Sequence, residues 1–341
     1  LAIFMFISGY FFKDLPERRY VRAFFSFLLK KVKSLLVPYY IINGLFLLLG
    51  TVLLKQGFTF LTPFSFSRWL ISPWTRLYTV TFSVPTWYMI ALFIAEIGFL
   101  ILRKIIRTIF KKDFLSEIIM LMLTLGLGIV AVSIARGGTA SITALVYLRS
   151  AAMLFFMQFG LFYRKYLEQR DTFPSIPYFL ILLAIQFLII ILSGNAPLSP
   201  GLYALYEFEP LGYDYFLCGL TGLLFWIRIS RLLASVPYRS RLVIFAGNNT
   251  KYIMSFHVSG FFLLNCLFDK IRSAGLQNGI MMGFSPQTFR SYLYYVWNYN
   301  VRANLLYYAA GMGLSLIAAW IIRKISAIIT GKIRTNNCAH Q

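Results

Sequence analysis

The segment FPSIPYFLILLAIQFLIIIL (residues 173–192) decides the fold, because it is 20 residues long and contains no charged side chain. A helix of about 20 apolar residues spans the hydrocarbon core of a bilayer, which is about 30 Å thick. The whole chain agrees with this segment: of its 341 residues, 59% are hydrophobic and only 13% are charged. So few polar residues cannot cover a soluble globule of that size, and the composition predicts an integral membrane protein.

Seven further apolar runs have the length of a membrane span. They extend over residues 34 to 54, 83 to 102, 114 to 134, 144 to 162, 211 to 227, 250 to 268 and 303 to 322. A shorter apolar run, residues 1 to 12, precedes them and brings the predicted number of spans to about nine. We therefore predict an all-α, polytopic membrane helix bundle, with a single transmembrane domain over residues 1 to 322 and a basic tail over residues 323 to 341.

The positive charge is distributed unevenly between alternate connections. One set holds 23 Lys and Arg residues and the other holds 8, out of a total of 33. The basic set consists of residues 13 to 33, 103 to 113, 163 to 172, 227 to 249 and 323 to 341. Because basic loops stay in the cytoplasm during insertion, this alternation predicts a cytoplasmic C-terminus. It also explains the net charge of +22 as a topology signal with contacts to membrane lipids, so that no nucleic-acid partner is expected.

The same topology makes the opening run begin on the outer face. Residues 1 to 12 rise only about 18 Å as a helix, and they lack the basic leader and the cleavage site of a signal peptide. We therefore expect a further span upstream of residue 1, in a parent protein with ten spans and both termini inside.

Four segments resemble motifs of one membrane-protein family. They are FMFISGYFF (residues 4–12), KKVKSLLVPYY (residues 30–40), VPTWYMIALFIAEI (residues 84–97) and NNTKYIMSFHVSGFFLL (residues 248–264). In this order they are similar to the second span, the basic entry to the third span, a Trp-aromatic span and the penultimate span of the acyltransferase-3 family. The resemblance covers nearly the whole chain.

This resemblance implies a direct transfer reaction in a multi-pass protein of the bacterial cytoplasmic membrane. An acetyl or other short acyl group would pass from cytoplasmic acyl-CoA to a hydroxyl of a cell-surface glycan, lipid or polymer, without a bound cofactor. Lys30, Lys31 and Lys33 occupy the position of the family's basic motif, which is expected to hold the phosphates of acyl-CoA. Read without the family, the same lysines are stop-transfer charges at the end of a span.

Histidine is the usual base for removing a proton from a hydroxyl group. The resemblance places the principal His on a first span, which we expect upstream of this chain, and this leaves open whether the chain is active as given. His257, between Ser255 and Ser259, resembles the second His of the family; it either assists catalysis or makes a neutral hydrogen bond between helices. His340 lies in the polar tail and has no expected role. With two His and three Cys without CxxC spacing, no metal site is expected.

Charged residues inside predicted spans need a partner or a function, because their burial in a membrane is costly. Glu96 and Arg149 are the two clear cases, and they either pair with each other or line a substrate pocket. Trp87 enters the span of Glu96 and belongs either to that pocket or to an interfacial aromatic belt. Glu207 and Glu209 lie in a connection without basic residues, which either borders the acceptor site or is a plain external loop.

A transporter or flippase of a lipid-linked saccharide is the alternative function. It would have similar spans and basic loops but no site for an acyl donor. The family motifs favour the enzyme.

Overall fold

The computed structural model describes residues 2–76, 80–138, 140–193, 214–234, 240–275, 284–291 and 304–329. This part of the chain is 85% helical and contains no strand, which confirms the predicted all-α bundle. Two compact units can be distinguished. Unit 1 comprises Leu1–Pro38, Ile71–Leu77 and Trp87–Ser235, and unit 2 comprises Tyr39–Leu70, Tyr78–Thr86 and Val236–Gln341. The division into a transmembrane domain and a tail at residue 323 stays a prediction.

The described residues form fourteen α-helices. They are α1 (Ala2–Tyr10), α2 (Tyr20–Lys31), α3 (Val37–Leu54), α4 (Phe66–Leu70), α5 (Ser72–Thr75), α6 (Trp87–Ile109), α7 (Asp113–Arg136), α8 (Ile142–Phe162), α9 (Ser175–Leu192), α10 (Asp214–Leu233), α11 (Arg241–Asn248), α12 (Thr250–Ser273), α13 (Pro286–Ser291) and α14 (Asn304–Ile329). Two π-turns, Val32–Leu36 and Tyr163–Leu167, continue α2 and α8, and a 3₁₀ turn, Thr81–Thr86, precedes α6.

Seven helical stretches within the described ranges are long and apolar enough to cross a membrane, and they coincide with seven of the nine predicted spans. The other two predicted spans are α1, which has 9 residues, and α6, whose 23 residues include several charges. Helix α9 exposes most of its apolar surface; Ile176, for example, is 76% exposed. Such a surface is stable only against lipid. The total of nine spans and the cytoplasmic C-terminus stay predictions.

The π-turn between α2 and α3 has a local cause in the sequence. Pro38 has no backbone N–H, and in a regular α-helix its ring would clash with the carbonyl of Ser34. The chain widens there, so that the N–H of Val37 donates to the carbonyl of Val32, five residues earlier. Lys31 lies immediately before this turn, and π-turns of this kind are frequent at functional sites.

Helices α1 and α8 of unit 1 pack with their backbones in contact. A Cβ atom on Gly9 would overlap the carbonyl oxygen of Met157, and one on Gly160 would overlap that of Phe6. Small residues allow such close packing in membrane bundles. The glycine of FMFISGYFF is therefore a packing residue, and it fixes α1 against α8, which is buried along most of its length.

In unit 2, α12 packs closely against α14. A Cβ atom on Gly260 would lie 2.7 Å from the carbonyl oxygen of Ala310. An aromatic cluster fills the adjoining core, in which the rings of Phe82 and Phe262 are 4.9 Å apart between centroids.

Candidate functional site

Glu96 and Lys31 form a buried ion pair within unit 1. The Nζ atom of Lys31, at the end of α2, donates to Oε1 of Glu96 on α6. The side chain of Glu96 is only 3% exposed, and that of Lys31 is 25% exposed. The second carboxylate oxygen of Glu96, Oε2, is buried and has no hydrogen-bond partner among the described residues. Buried oxygens without a partner are rare, which makes Oε2 a candidate for contact with a substrate.

Of the two roles predicted for Glu96 and Arg149, pairing with each other is therefore wrong, and the helical register explains why. Trp87 and Glu96 are nine residues apart on α6, which places them about half a turn from each other around the helix axis. The face of Trp87 meets α8, where the guanidinium carbon of Arg149 lies 4.4 Å from the centre of the indole ring. Glu96 lies on the opposite face of α6, where it contacts Lys31. Trp87 and Arg149 are both buried, so Trp87 is not part of an interfacial belt within unit 1.

Tyr88 adds a second buried oxygen near the start of α6. The residue is 4% exposed, and its hydroxyl group has no hydrogen-bond partner among the described residues. Its ring lies 5.8 Å from the ring of Phe4 on α1. An aromatic residue at the start of a span is usually found at the membrane interface, whereas Tyr88 is buried within unit 1. Its place in the segment VPTWYMIALFIAEI (residues 84–97) could have indicated a role in the site.

Beyond the pair of Glu96 with Lys31, α6 carries a second polar network that sequence reasoning missed. Arg103 is buried and donates to Glu117 from Nη1 at 2.7 Å and from Nη2 at 2.9 Å. It also donates to Asp14 from Nε at 2.8 Å. Gln158 on α8 completes the network by donating to Glu117 at 2.8 Å. In the sequence, the acidic residues beside the basic loops could have indicated this network, because acidic residues are rare in the chain.

Lys30 and Lys33 are exposed and, unlike Lys31, have no acidic partner among the described residues. Together with Ser26, Leu29 and Ser34 they line an open groove of about 530 Å³. The structure thus separates the predicted lysine cluster into one residue that is held by Glu96 and two that remain available to an anion.

His257 lies on α12 in unit 2 and is half-buried. Its Nδ1 atom is 2.9 Å from the carbonyl oxygen of Ile253. A carbonyl only accepts hydrogen bonds, so Nδ1 carries the proton, and in the neutral ring Nε2 is then a free acceptor. Ser255 donates to the carbonyl of Lys251, whereas the buried hydroxyl of Ser259 has no partner within the described ranges.

The structure brings Lys31 to Glu96 and Trp87 to Arg149, all in unit 1, and it places His257 in unit 2. The remaining predicted positions, Glu207, Glu209 and His340, lie outside the described residues.

Comparison with known proteins identifies the family. No curated protein and no solved structure matches the chain. A family model described as an acyltransferase domain matches residues 1–324, which is nearly the whole chain. With its apolar helices and this match, the chain is a multi-pass membrane protein that belongs to the acyltransferase-3 family.

Proposed function

We propose that this protein transfers an acetyl or other short acyl group from acyl-CoA to a hydroxyl of a cell-surface glycan, lipid or polymer, in the bacterial cytoplasmic membrane. The observation that carries the proposal is the acyltransferase match over residues 1–324. One oxygen each of Glu96 and Tyr88 supports it, because these atoms are buried without a hydrogen-bond partner among the described residues, and such burial is costly unless a polar ligand meets them.

The reaction needs a base and a site for the leaving thiolate. The acceptor oxygen attacks the thioester carbonyl, its proton goes to a base, and the carbon–sulfur bond breaks to release coenzyme A, which takes up a proton. His257 assists, since its Nε2 atom has no hydrogen-bond partner among the described residues and can accept a proton in the tautomer that donates from Nδ1 to Ile253. In this proposal Glu96 and Tyr88 offer their buried oxygens to the substrate. Trp87 and Arg149, which were predicted to line the same pocket, lie on the other face of α6.

The donor phosphates are held by Lys30 and Lys33. Both lysines are exposed, both line the same groove, and neither has a carboxylate partner among the described residues. Lys31 contributes indirectly, because its Nζ atom is held by Glu96. A diphosphate group would gain charge-assisted hydrogen bonds from the two free ammonium groups.

The test uses membranes that contain the chain, with acetyl-CoA labelled in the acetyl group and extracted cell-surface glycans as acceptors. We expect the label to enter a glycan. The double variant Lys30→Ala/Lys33→Ala should raise the KM for acetyl-CoA about tenfold or more, since each lost charge-assisted contact costs about 1 kcal/mol or more. Lys55→Ala is the matched control, because Lys55 is exposed just beyond the other end of α3.

His257 is tested in the same assay by His257→Gln, which keeps a polar side chain but removes the assisting imidazole. We expect kcat to fall about tenfold, which is less than the roughly 100-fold or larger contribution of a principal general base. Label that enters no acceptor, while a lipid-linked saccharide crosses the membrane without consuming acetyl-CoA, would contradict the enzyme and support the flippase.

A further inference from the structure

A cavity of about 670 Å³ opens in unit 1 between the segment that follows α1 and the last turns of α6. Arg103 and Arg107 are fixed at its wall, because each donates to Asp14, from Arg103 Nε at 2.8 Å and from Arg107 Nη1 at 2.6 Å. Lys104 and Lys111 also line this cavity, and neither has a carboxylate partner among the described residues.

The lining of this cavity is cationic. It contains four basic residues and two acidic residues, Asp14 and Glu17, so its formal charge is +2. Asp14 is already shared by two arginines, which leaves Glu17 as the lining carboxylate without an ion pair in the described chain. In the described chain, two lysines and one carboxylate of the lining are thus without an ion pair, which leaves one surplus positive charge for a singly charged anion.

An apolar cleft of about 290 Å³ continues from the cavity along α2 and α6. Tyr20 and Lys104 line both spaces, and the Nζ atom of Lys104 lies 4.9 Å from the centre of the Tyr20 ring. The rest of the cleft is hydrocarbon, formed by Val21, Phe24, Ile101 and Ile105. Val21 is 67% exposed and Ile105 is 49% exposed, so the cleft opens on the lipid-facing side of these helices.

Together, the cationic cavity and the apolar cleft match the two parts of an amphipathic ligand, a charged headgroup and a hydrocarbon chain. Cationic residues and a basic loop lie at the end of α6 that is predicted to face the cytoplasm, at the depth of the headgroups, and the apolar cleft runs from there toward the hydrocarbon core. A soluble phosphate compound would use the cavity alone. Only a ligand with a hydrocarbon chain fills both.

We propose that the cavity and the cleft bind one anionic phospholipid, with its phosphate at Lys104 and Lys111 and one acyl chain along Val21, Phe24, Ile101 and Ile105. This site is separate from the groove of Lys30 and Lys33 to which the donor phosphates are assigned.

The test is native mass spectrometry of the purified chain in detergent, with phosphatidylglycerol, phosphatidylcholine or coenzyme A added separately. We expect phosphatidylglycerol to bind at least tenfold more tightly than phosphatidylcholine. The double variant Lys104→Gln/Lys111→Gln should weaken phosphatidylglycerol binding about 30-fold, since each lysine near anionic lipid contributes about a factor of five. Lys30→Gln/Lys33→Gln is the matched control and should leave lipid binding unchanged.

A second double variant tests the apolar cleft without changing the charge of the site. Ile101→Asn/Ile105→Asn should weaken binding of phosphatidylglycerol but not that of short-chain glycerophosphoglycerol. Equal binding of the two phospholipids, or phosphatidylglycerol binding that survives the loss of both lysines, would overturn the proposal. Displacement of the lipid by equimolar coenzyme A would also overturn it, by assigning the cavity to the donor. The readout is binding, so a failure here is distinct from a failure of acyl transfer.

Discussion

From the ion pair between Lys31 and Glu96 we predict that removing the lysine destabilises the protein more than removing the carboxylate charge. Lys31→Met leaves the carboxylate of Glu96 with neither oxygen partnered among the described residues, in a side chain that is only 3% exposed. Removing one partner of a fully buried pair costs about 3–5 kcal/mol. Because Lys31 is 25% exposed, part of the interaction is screened by solvent, and we expect Lys31→Met to lower the free energy of unfolding by about 2–3 kcal/mol.

Substitution of the other partner, Glu96, should lower the free energy of unfolding by less. After Glu96→Gln, the long side chain of Lys31 can move its ammonium group toward water, so we expect a loss of about 1 kcal/mol. The double variant Lys31→Met/Glu96→Gln buries no charge and should lose only about 1–1.5 kcal/mol. The two single losses then exceed the double loss by about 2 kcal/mol, which is the coupling energy of the pair.

The assay is reversible unfolding in sodium dodecyl sulfate, followed by far-ultraviolet circular dichroism, for the parent chain, both single variants and the double variant. Lys33→Met serves as the control, because Lys33 is exposed and has no ion pair in the described chain; its effect should stay within about 0.5 kcal/mol. If the two single losses add to the double loss within about 0.5 kcal/mol, or if Lys31→Met costs no more than Lys33→Met, the buried pair does not contribute as the structure implies.

Three further predictions concern packing and the Arg103 network. Gly9→Ala should greatly reduce the yield of folded protein in detergent, whereas Gly98→Ala should not, because an added Cβ would overlap a backbone carbonyl at Gly9 and meets nothing within 4 Å at Gly98. In unit 2, Gly260→Ala should lower the thermal midpoint by several degrees, and Gly313→Ala, at an open position of α14, should leave it unchanged; equal effects would contradict the close contact. Arg103→Lys keeps the charge but loses the planar fork, so it should lower the free energy of unfolding by about 2 kcal/mol; a loss below 0.5 kcal/mol would show that charge alone suffices.

The sequence predicted the helical fold and the positions of seven apolar helices, because the length of an apolar run and the thickness of a bilayer are linked directly. It did not predict which charged residues meet. One of the two roles predicted for Glu96 was pairing with Arg149, since these are the two clear cases of charged residues inside predicted spans. The contact depends instead on the direction of each side chain around its helix, and on a π-turn that Pro38 introduces beside Lys31.

The network around Arg103 was missed for a related reason. Counting basic residues in alternate loops treats each loop as a sum of charges, and this sum predicts orientation but no contacts. The acidic residues of the chain are only 11, and several of them, including Asp14, Asp113 and Glu117, lie at the basic ends of spans. These three carboxylates form ion pairs with an arginine or a lysine, since an unpaired carboxylate at the edge of a membrane is costly.

The pairing of these charges separates structural cations from available ones. Four arginines of unit 1 engage carboxylates: Arg103, Arg107, Arg228 and Arg231. Four lysines that line the groove and the cavity engage none among the described residues: Lys30, Lys33, Lys104 and Lys111. The guanidinium group suits fixed networks because its planar fork matches a carboxylate, whereas an ammonium group on a flexible stem adapts to a mobile phosphate. The net charge of +22 therefore includes two groups of lysines that have no ion pair in the described chain, and the two proposals assign these groups to an acyl donor and to a lipid.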